Sequence, residues 1–338
     1  MCVIIYTTIN NKKILVKNRD RVYKPNIVII HELVDGVELA YIKDLKTGWI
    51  EGLNGNGIGI INSTLNRNDG KHKVDKSYLK IKKNRILDAL HETDSKKIIN
   101  EIIEDKKKVP FLEGHSLIVC DNKCLHIENN VDNKFVITKI NDNSVFTNSG
   151  KSFEDAGFVK GKKGLSSFLR RKNIEMELKH KKINSYDEII DIMNKNYIGI
   201  DPRFHSYRDE KMTKKYLNDN SEKSEKNMKI VMTTGQILLN LTDKELVYFE
   251  DINNSKSVKY INKLPKNYNP LIRVIINKTE KNKKPEKTKL TQKYLKKIYK
   301  KFDFDYNITR HNRFKHNKTK NKKIKHNKTN RKIKNNTN

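Results

Sequence analysis

Cys2 stands directly behind Met1 in MCVIIYTTINNKKILVKNRDR. Removal of Met ahead of a small residue leaves a cysteine that carries both a thiol and a free α-amine. An α-amine titrates at about 8, against about 10.4 for a lysine. It therefore takes the thiol proton near neutral pH without a separate histidine, so nucleophile and base are one residue. The chemistry open to it is attack on an acyl carbon, with the amine as base and then acid. The competing reading of Cys2 is a small buried residue opening a strand. Cys120 and Cys124 have CxxxC spacing with no second Cys/His pair nearby, so they read as strand residues flanking a tight turn, not zinc ligands. Three cysteines make no disulfide framework. The ten histidines show no HxxxH or HxH spacing. No metal and no cofactor is expected. Gly52, Gly55 and Gly57 are followed by no Lys-Ser/Thr, which excludes a phosphate loop.

A nucleophile at a strand start needs elements to hold it. Cys2–Thr8 and Lys13–Val16 read as β-branched strands around INNKK. Asn26–Leu33 and Glu38–Lys43 read as a hairpin around Asp35-Gly36. Glycines at 48, 52, 55, 57 and 59 read as a turn from which the strand Ile58–Leu65 leaves. Tyr78–Glu104 has helical apolar spacing, divided at 92–97. Ser116–Cys120, Cys124–Glu128, Phe135–Ile140 and Ser144–Thr147 read as an antiparallel meander with Asp/Asn-rich turns. Leu165–Leu178 and Tyr186–Asn194 read as helices, the second capped by Ser185. Residues 201–228 read as an irregular excursion. Lys229–Thr234, Ile237–Leu241 and Leu246–Glu250 read as strands, and PLIRVIIN closes the globular part near Ile276. Runs of strands and runs of helices argue α+β, with antiparallel sheets covered by helices on their outer faces.

The formal charge of +32 is unevenly placed. Lys278–Asn338 holds 23 Lys and Arg against 4 Asp and Glu, which leaves +13 on the preceding 277 residues. The chain therefore divides into a domain over 2–276 and a basic low-complexity tail over 277–338. The tail is too poor in apolar residues to order itself. Its candidate structure is one amphipathic helix at 290–304, where Leu290, Tyr294, Leu295, Ile298 and Phe302 share a face. No window of about 18 apolar residues and no signal-peptide pattern occurs. The expected location is cytoplasmic, with a nuclear or particle-associated one left open by the tail.

Several blocks, in order, resemble N-terminal-nucleophile (Ntn) hydrolases with an N-terminal cysteine. The likeness is to the choloylglycine hydrolase/penicillin V acylase and isopenicillin-N acyltransferase (peptidase C45-like) families. MC opens a strand, and VKNRD matches the block that carries an aspartate, here Asp20. GLNGNGIGIINSTL resembles the glycine turn and the strand behind it. LIVCDNKCLHIENN resembles a strand–turn–strand ending in IE. VFTNSG matches the block of the active-site asparagine, here Asn148, and GLSSFLRRK the block of an arginine, here Arg170. The resemblance covers about residues 2–250. Two positions depart from the pattern. Lys17 stands where the family has an arginine, and Arg19 lies inside NRD, a triplet shared with the transport-and-Golgi-organisation NRDE family, whose glutamate is here Arg21. The strand residue expected near the oxyanion aligns with Thr64, with Asn62 two residues earlier.

The resemblance implies a four-layer αββα sandwich of two antiparallel sheets. It implies a hydrolase or acyltransferase that cleaves or forms a linear amide bond through an acyl-enzyme on Cys2, after Met1 removal. Asp20 would orient the ammonium, Asn148 and the Asn62–Thr64 strand would donate to the oxyanion, and Arg170 would fix Asp20 or an anionic substrate end. Lys17 and Arg19 are the supporting candidates. The substrate class is a small acyl amide or acyl thioester. Read without the resemblance, Asp20 and Asn148 fit turns, and Arg170 with Arg171 fits a solvated helix face. The alternative function is non-enzymatic: a nucleic-acid-binding or packaging protein on an inactive Ntn scaffold, acting through the tail. An anionic membrane surface is the other partner the tail suggests.

Overall fold

The computed structural model describes residues 2–65, 86–108, 114–120, 123–129, 134–153, 156–158, 161–198, 201–220, 230–250, 259–262, 264, 267–278 and 287–289. In chain order come β1 (Cys2–Ile9), β2 (Lys12–Arg21), β3 (Ile27–Val34), β4 (Val37–Asp44), β5 (Ile50–Asn54) and β6 (Gly59–Leu65). Two helices follow, α1 over 86–91 and α2 (Ser95–Lys108). Then come β7 (Gly114–Cys120), β8 (Cys124–Asn129), β9 (Phe135–Lys139), β10 (Ser144–Phe146), α3 (Gly161–His180), α4 (Tyr186–Asn194), β11 (Asn196–Ile198) and a 3-10 turn at Pro202–Phe204. The described chain continues with α5 (Glu210–Asn220), β12 (Met232–Asn240), β13 (Glu245–Glu250), β14 (Lys259–Asn262), β15 (Arg273–Lys278) and β16 (Lys287–Lys289).

One sheet has the order β10-β1-β2-β12-β13-β15 and the other β14-β3-β4-β5-β6-β7-β8-β9. Side-chain alternation sorts the apolar residues into three layers of contact. Ile4, Tyr6 and Leu15 of the first sheet meet Ile29, Ile42, Leu53 and Ile61 of the second. On the first sheet's outer face, Val3, Ile5, Ile14 and Val16 pack against Ile174 and Leu178 of α3 and Ile189 and Met193 of α4. On the second sheet's outer face, Val28, Tyr41 and Ile60 pack against Leu90 of α1 and Ile98 of α2. The order is therefore helix, sheet, sheet, helix: the four-layer αββα sandwich that the sequence implies.

The hairpins form where the turn residues tolerate left-handed backbone. Asn10 and Asn11 join β1 to β2 at φ 48° and 64°, and Asp35-Gly36 joins β3 to β4 at 50° and 79°. Both are two-residue loops with positive φ at both positions, which matches strand twist. Ser185 caps α4 by accepting from the Glu188 N–H.

Several expectations are corrected. The sheets are not wholly antiparallel: β13–β15 and β14–β3 run parallel, because each of the late strands returns by a long connection instead of a tight hairpin. The segment read as a four-strand meander splits. β7, β8 and β9 stay in the second sheet, but β10 crosses to pair with β1. The glycine turn contains β5, whose Gly52 allows close approach: a Cβ there would sit 2.2 Å from the Ala40 carbonyl oxygen. The late strands read on either side of Gly235 are one strand, β12, with a bulge between Thr233 and Gln236. The excursion from 201 carries a 3-10 turn and α5. The boundary at Ile276 falls inside β15, which runs to Lys278 beside β13. Within the basic segment Lys287–Lys289 pairs parallel with β11. The helix read at 290–304 lies outside the described residues, as does the 78–85 part of the earlier helix.

Candidate active site at the start of the first strand

Cys2 is the first residue of β1 and pairs across the ladder with Arg19 of β2. Even-numbered residues of β1 face the layer between the sheets, as Ile4 and Tyr6 do, so Cys2 faces that layer too. The odd residues of β2 face the same way, so Leu15 is followed along one face by Lys17, Arg19 and Arg21. Cys2, Lys17 and Arg19 are 3%, 1% and 1% exposed, in what would otherwise be apolar core. Cys2 is the free cysteine among the described residues, whereas Cys124 is held in a disulfide. Cys120 ends β7 and Cys124 begins β8, opposite each other in register, so both are the strand residues that the sequence suggests.

The inner-face cations are not alike. Lys17 Nζ donates to the Glu51 carboxylate on β5 and to the Asn62 carbonyl on β6. Arg19 Nη1 donates to the other Glu51 oxygen at 3.1 Å. Arg19 Nε and Nη2 are buried with no hydrogen-bond partner among the described residues. Arg21 is half-buried, and its Nη1 lies 3.8 Å from Cys2 Sγ. Burial alone pushes the thiol up. The nearby charges of Lys17, the N-terminal ammonium and Arg21 outweigh burial and the opposing Asp20, and lower the thiol to about 6. Lys17 thus supplies the strongest of the charges that lower the thiol.

The outer face of β2 carries Asp20. The residue is wholly buried, the last but one of β2, and not in the turn that its sequence context alone suggests. Arg170 Nη1 of α3 reaches both Asp20 Oδ2 at 3.0 Å and the Cys2 carbonyl at 3.3 Å. Thr233 Oγ1 of β12 donates to Asp20 Oδ1 at 2.9 Å. Arg208 brings a second guanidinium to Asp20 Oδ2 at 3.7 Å, and its Nη2 donates to Ser166 Oγ at 2.6 Å. Arg170 is fully buried, which overturns the reading of a solvated helix face.

Asn148 lies two residues beyond the end of β10 and arrives at Cys2 because β10 pairs with β1. Its Oδ1 accepts from the Cys2 backbone N–H, and its Nδ2 donates to the Thr64 carbonyl at 2.7 Å. The next loop is clamped by Glu128, the glutamate of the IE block. Its carboxylate accepts backbone N–H groups of Lys151, Ser152 and Phe153 at 2.8, 3.0 and 2.9 Å. Gly150 is required there, since a Cβ would stand 2.1 Å from the Phe153 carbonyl oxygen and 2.7 Å from Glu128 Oε1. Burial, and then Lys151, hold the nearby His126 down at about 3, so it is neutral and no acid–base partner near pH 7.

Asn62 and Thr64 enter differently from expectation. β6 keeps register with β7 from Gly59 to Leu65, but pairs with β5 only at Gly59 and Ile60. Ile61 lies between the sheets and Ile60 on the outer face. Alternation therefore turns the Asn62 and Thr64 side chains outward with Ile60. What they offer the site is backbone, exposed where β6 leaves β5. Lys17 takes the Asn62 carbonyl, Glu51 accepts the Asn62 N–H at 3.4 Å, and Asn148 takes the Thr64 carbonyl.

The structure thus brings together Cys2, Lys17, Arg19, Asp20, Asn148 and Arg170. Sequence reading missed Glu51, Arg208 and Thr233 as partners. Glu51 had a signal, a lone carboxylate among the apolar and glycine residues of GWIEGLNG. Arg208 and Thr233 had none. A groove of about 600 Å³ opens at the far end of β1, lined by Thr7, Asn10, Asn143 and residues 178–183, and shares no residue with this cluster. Among the described residues no group of three or more His, Cys, Asp or Glu side chains is placed to hold a metal ion. No helix among them is long and apolar enough to cross a membrane.

A four-layer sandwich with a buried cysteine at the head of its first strand is the class that fold and site define. No family model matches the chain, and no curated protein matches it. Among solved structures it is similar to two single-substitution variants of the conjugated bile acid hydrolase from Clostridium perfringens. Each is 13% identical and covers 79% of this chain and 99% of that chain, with TM-scores of 0.41 and 0.44. It is also similar to penicillin V acylase from Agrobacterium tumefaciens, at 12% identity and TM-score 0.35, over 74% of this chain and 86% of that one. The fold assignment rests on the layers of the chain itself.

Proposed function

We propose that this chain is an amide-bond hydrolase or acyltransferase whose nucleophile is Cys2, freed by removal of Met1. The observation that carries the reading is convergence. Residues 2, 20, 148 and 170, far apart in sequence, meet around one thiol. With Met1 gone, the nitrogen that now donates to Asn148 Oδ1 is an amine within the same residue as the thiol. The thiolate attacks an amide or thioester carbonyl, the C–N or C–S bond breaks, and the amine returns its proton to the leaving group. Asp20 and Arg170 act as a rigid pair: the guanidinium bridges the carboxylate to the Cys2 carbonyl and fixes the residue's orientation. Asn148 Nδ2, through the N–H that it does not give to the Thr64 carbonyl, is the donor for the developing oxyanion. Water or an amine resolves the acyl-enzyme.

The test is intact-mass analysis of active protein, followed by a panel of N-acyl amides and acyl thioesters. The expected result is a chain without Met1 that gains one acyl group on Cys2 and gains none in Cys2→Ala. Active protein that retains Met1, or that is blocked at Cys2, overturns the reading.

A further inference from the structure

A buried lysine is a fragile source of positive charge. Unlike a guanidinium, an ammonium sheds its proton when desolvated, and burial holds Lys17 well below the ordinary lysine value, against the pull of the Cys2 thiolate. Yet the ionised thiol depends on Lys17 more than on any other charge. The Cys2 thiolate and then Asp20 support the ammonium against burial and against Arg19 and Arg21, and the contacts add a third anion. Glu51, itself 0% exposed, meets Lys17 Nζ with one oxygen and Arg19 Nη1 with the other. The oxygen that meets Lys17 also accepts the Asn62 N–H, while Lys17 takes the Asn62 carbonyl.

We propose that Glu51 is a positioning residue that keeps Lys17 protonated beneath Cys2. The inference rests on the reading of Cys2 as the nucleophile. The charged and titratable groups around the pair are Lys17, Arg19 and Arg21 of β2 on the inner face, Asp20 on the outer face, Glu51 of β5, Asp44 of β4 and Tyr248 of β13 acting on Arg19, Arg170 of α3 at the Cys2 carbonyl, Arg208 beside Asp20, and the N-terminal ammonium. Glu51 is the anion in direct contact with Lys17. Removing its charge leaves two buried cations facing each other, and the one able to neutralise is Lys17. The thiol then loses the positive charge that lowers it most and reverts toward an ordinary cysteine.

The experiment follows Cys2 alkylation by iodoacetamide against pH in the full chain, with folding checked by circular dichroism. Glu51→Gln is expected to move the midpoint up from about 6 by about one pH unit or more, a loss of roughly tenfold in thiolate at pH 5. Lys17→Arg in the Glu51→Gln background is expected to bring the midpoint back, because a guanidinium stays charged without the carboxylate. A purely structural role for Glu51 predicts no such rescue. An unchanged midpoint in folded Glu51→Gln, or no rescue by Lys17→Arg, overturns the proposal. Should Glu51→Gln fail to fold, the double variant Lys17→Met/Glu51→Leu replaces the pair with apolar volume, and a midpoint that stays at about 6 there overturns it equally. Wild-type alkylation with an ordinary thiol midpoint of about 8.5 would instead remove the nucleophile reading itself.

Discussion

On the inner face of β2, Lys17, Arg19 and Arg21 all turn toward Cys2, and one carboxylate, Glu51, serves two of them. On the outer face the proportions are reversed. One carboxylate, Asp20, is the centre, held by Arg170, Thr233 and Arg208. The inner face leaves polar atoms of Arg19 without a partner among the described residues and sets the ionisation of a thiol. The outer face ties α3, β12 and the 201–208 segment to the strand that carries the site. A single strand therefore gathers the charges that lower a thiol on one side and a tied carboxylate on the other, and the period of two keeps them apart.

Cutting the comparison at its centre gives the largest effect. Cys2→Ala is expected to abolish turnover and acyl-enzyme formation, a loss of at least about 10³-fold, while the midpoint of urea unfolding near pH 6 changes little. Asp20→Asn should do the opposite. It leaves the two guanidinium groups without their common anion in a buried place, which costs on the order of 3–5 kcal/mol. Urea unfolding should show that loss, and a fully stable Asp20→Asn would contradict the rigid outer face. Arg208→Gln comes next. Arg170 still holds Asp20, so the expected loss is about 1–3 kcal/mol, mostly from the Ser166 hydrogen bond and the lost charge. An effect within experimental error would mean that the 3.7 Å contact contributes nothing.

The sequence shows these two faces unequally. Strands and helices with clear apolar periods were legible: α4 was bounded as found, down to its Ser185 cap. Cys2, Asp20, Asn148 and Arg170 were legible because their blocks recur in a family pattern. The face that each occupies was not. Lys17 to Arg21 looks like a polar turn, since three basic side chains in one strand contradict a buried reading, and only Glu51 on the other sheet makes them tolerable there. β10 looked like the fourth strand of a meander because sequence neighbours usually pair, and its crossing to β1 is what delivers Asn148. Arg208 sits in a segment with no periodic signal. Its partner Asp20 lies far earlier in the chain, a contact that no local pattern reports.

Arg21→Leu sharpens the inner face with a smaller shift. Arg21 ranks below Lys17 and the N-terminal ammonium among the charges that lower the thiol, and it is partly open to water, which weakens its pull. The alkylation midpoint should rise by less than in Glu51→Gln. The same thiol has a signature in stability. Its folded value of about 6 lies below the unfolded value of about 8.5, so the stabilisation is complete above about 8.5 and disappears as pH falls through about 6. Wild type minus Cys2→Ala, measured by urea unfolding, should therefore grow between about pH 6 and about 8.5. A flat difference would show that the inner cations do not act on the thiol.

The smallest effect tests whether burial, and not mere pairing, separates the two faces from the rest of the surface. Lys12 begins the same strand and meets Asp243 at 2.6 Å, closer than Arg170 meets Asp20. Its side chain is 44% exposed and that of Asp243 41%. Water screens this pair, and two long side chains lose freedom to hold it, so Lys12→Ala should cost no more than about 0.5 kcal/mol and leave the thiol midpoint unchanged. If it cost as much as Asp20→Asn, distance would matter more than burial, and the contrast drawn across β2 would reduce to a count of ion pairs.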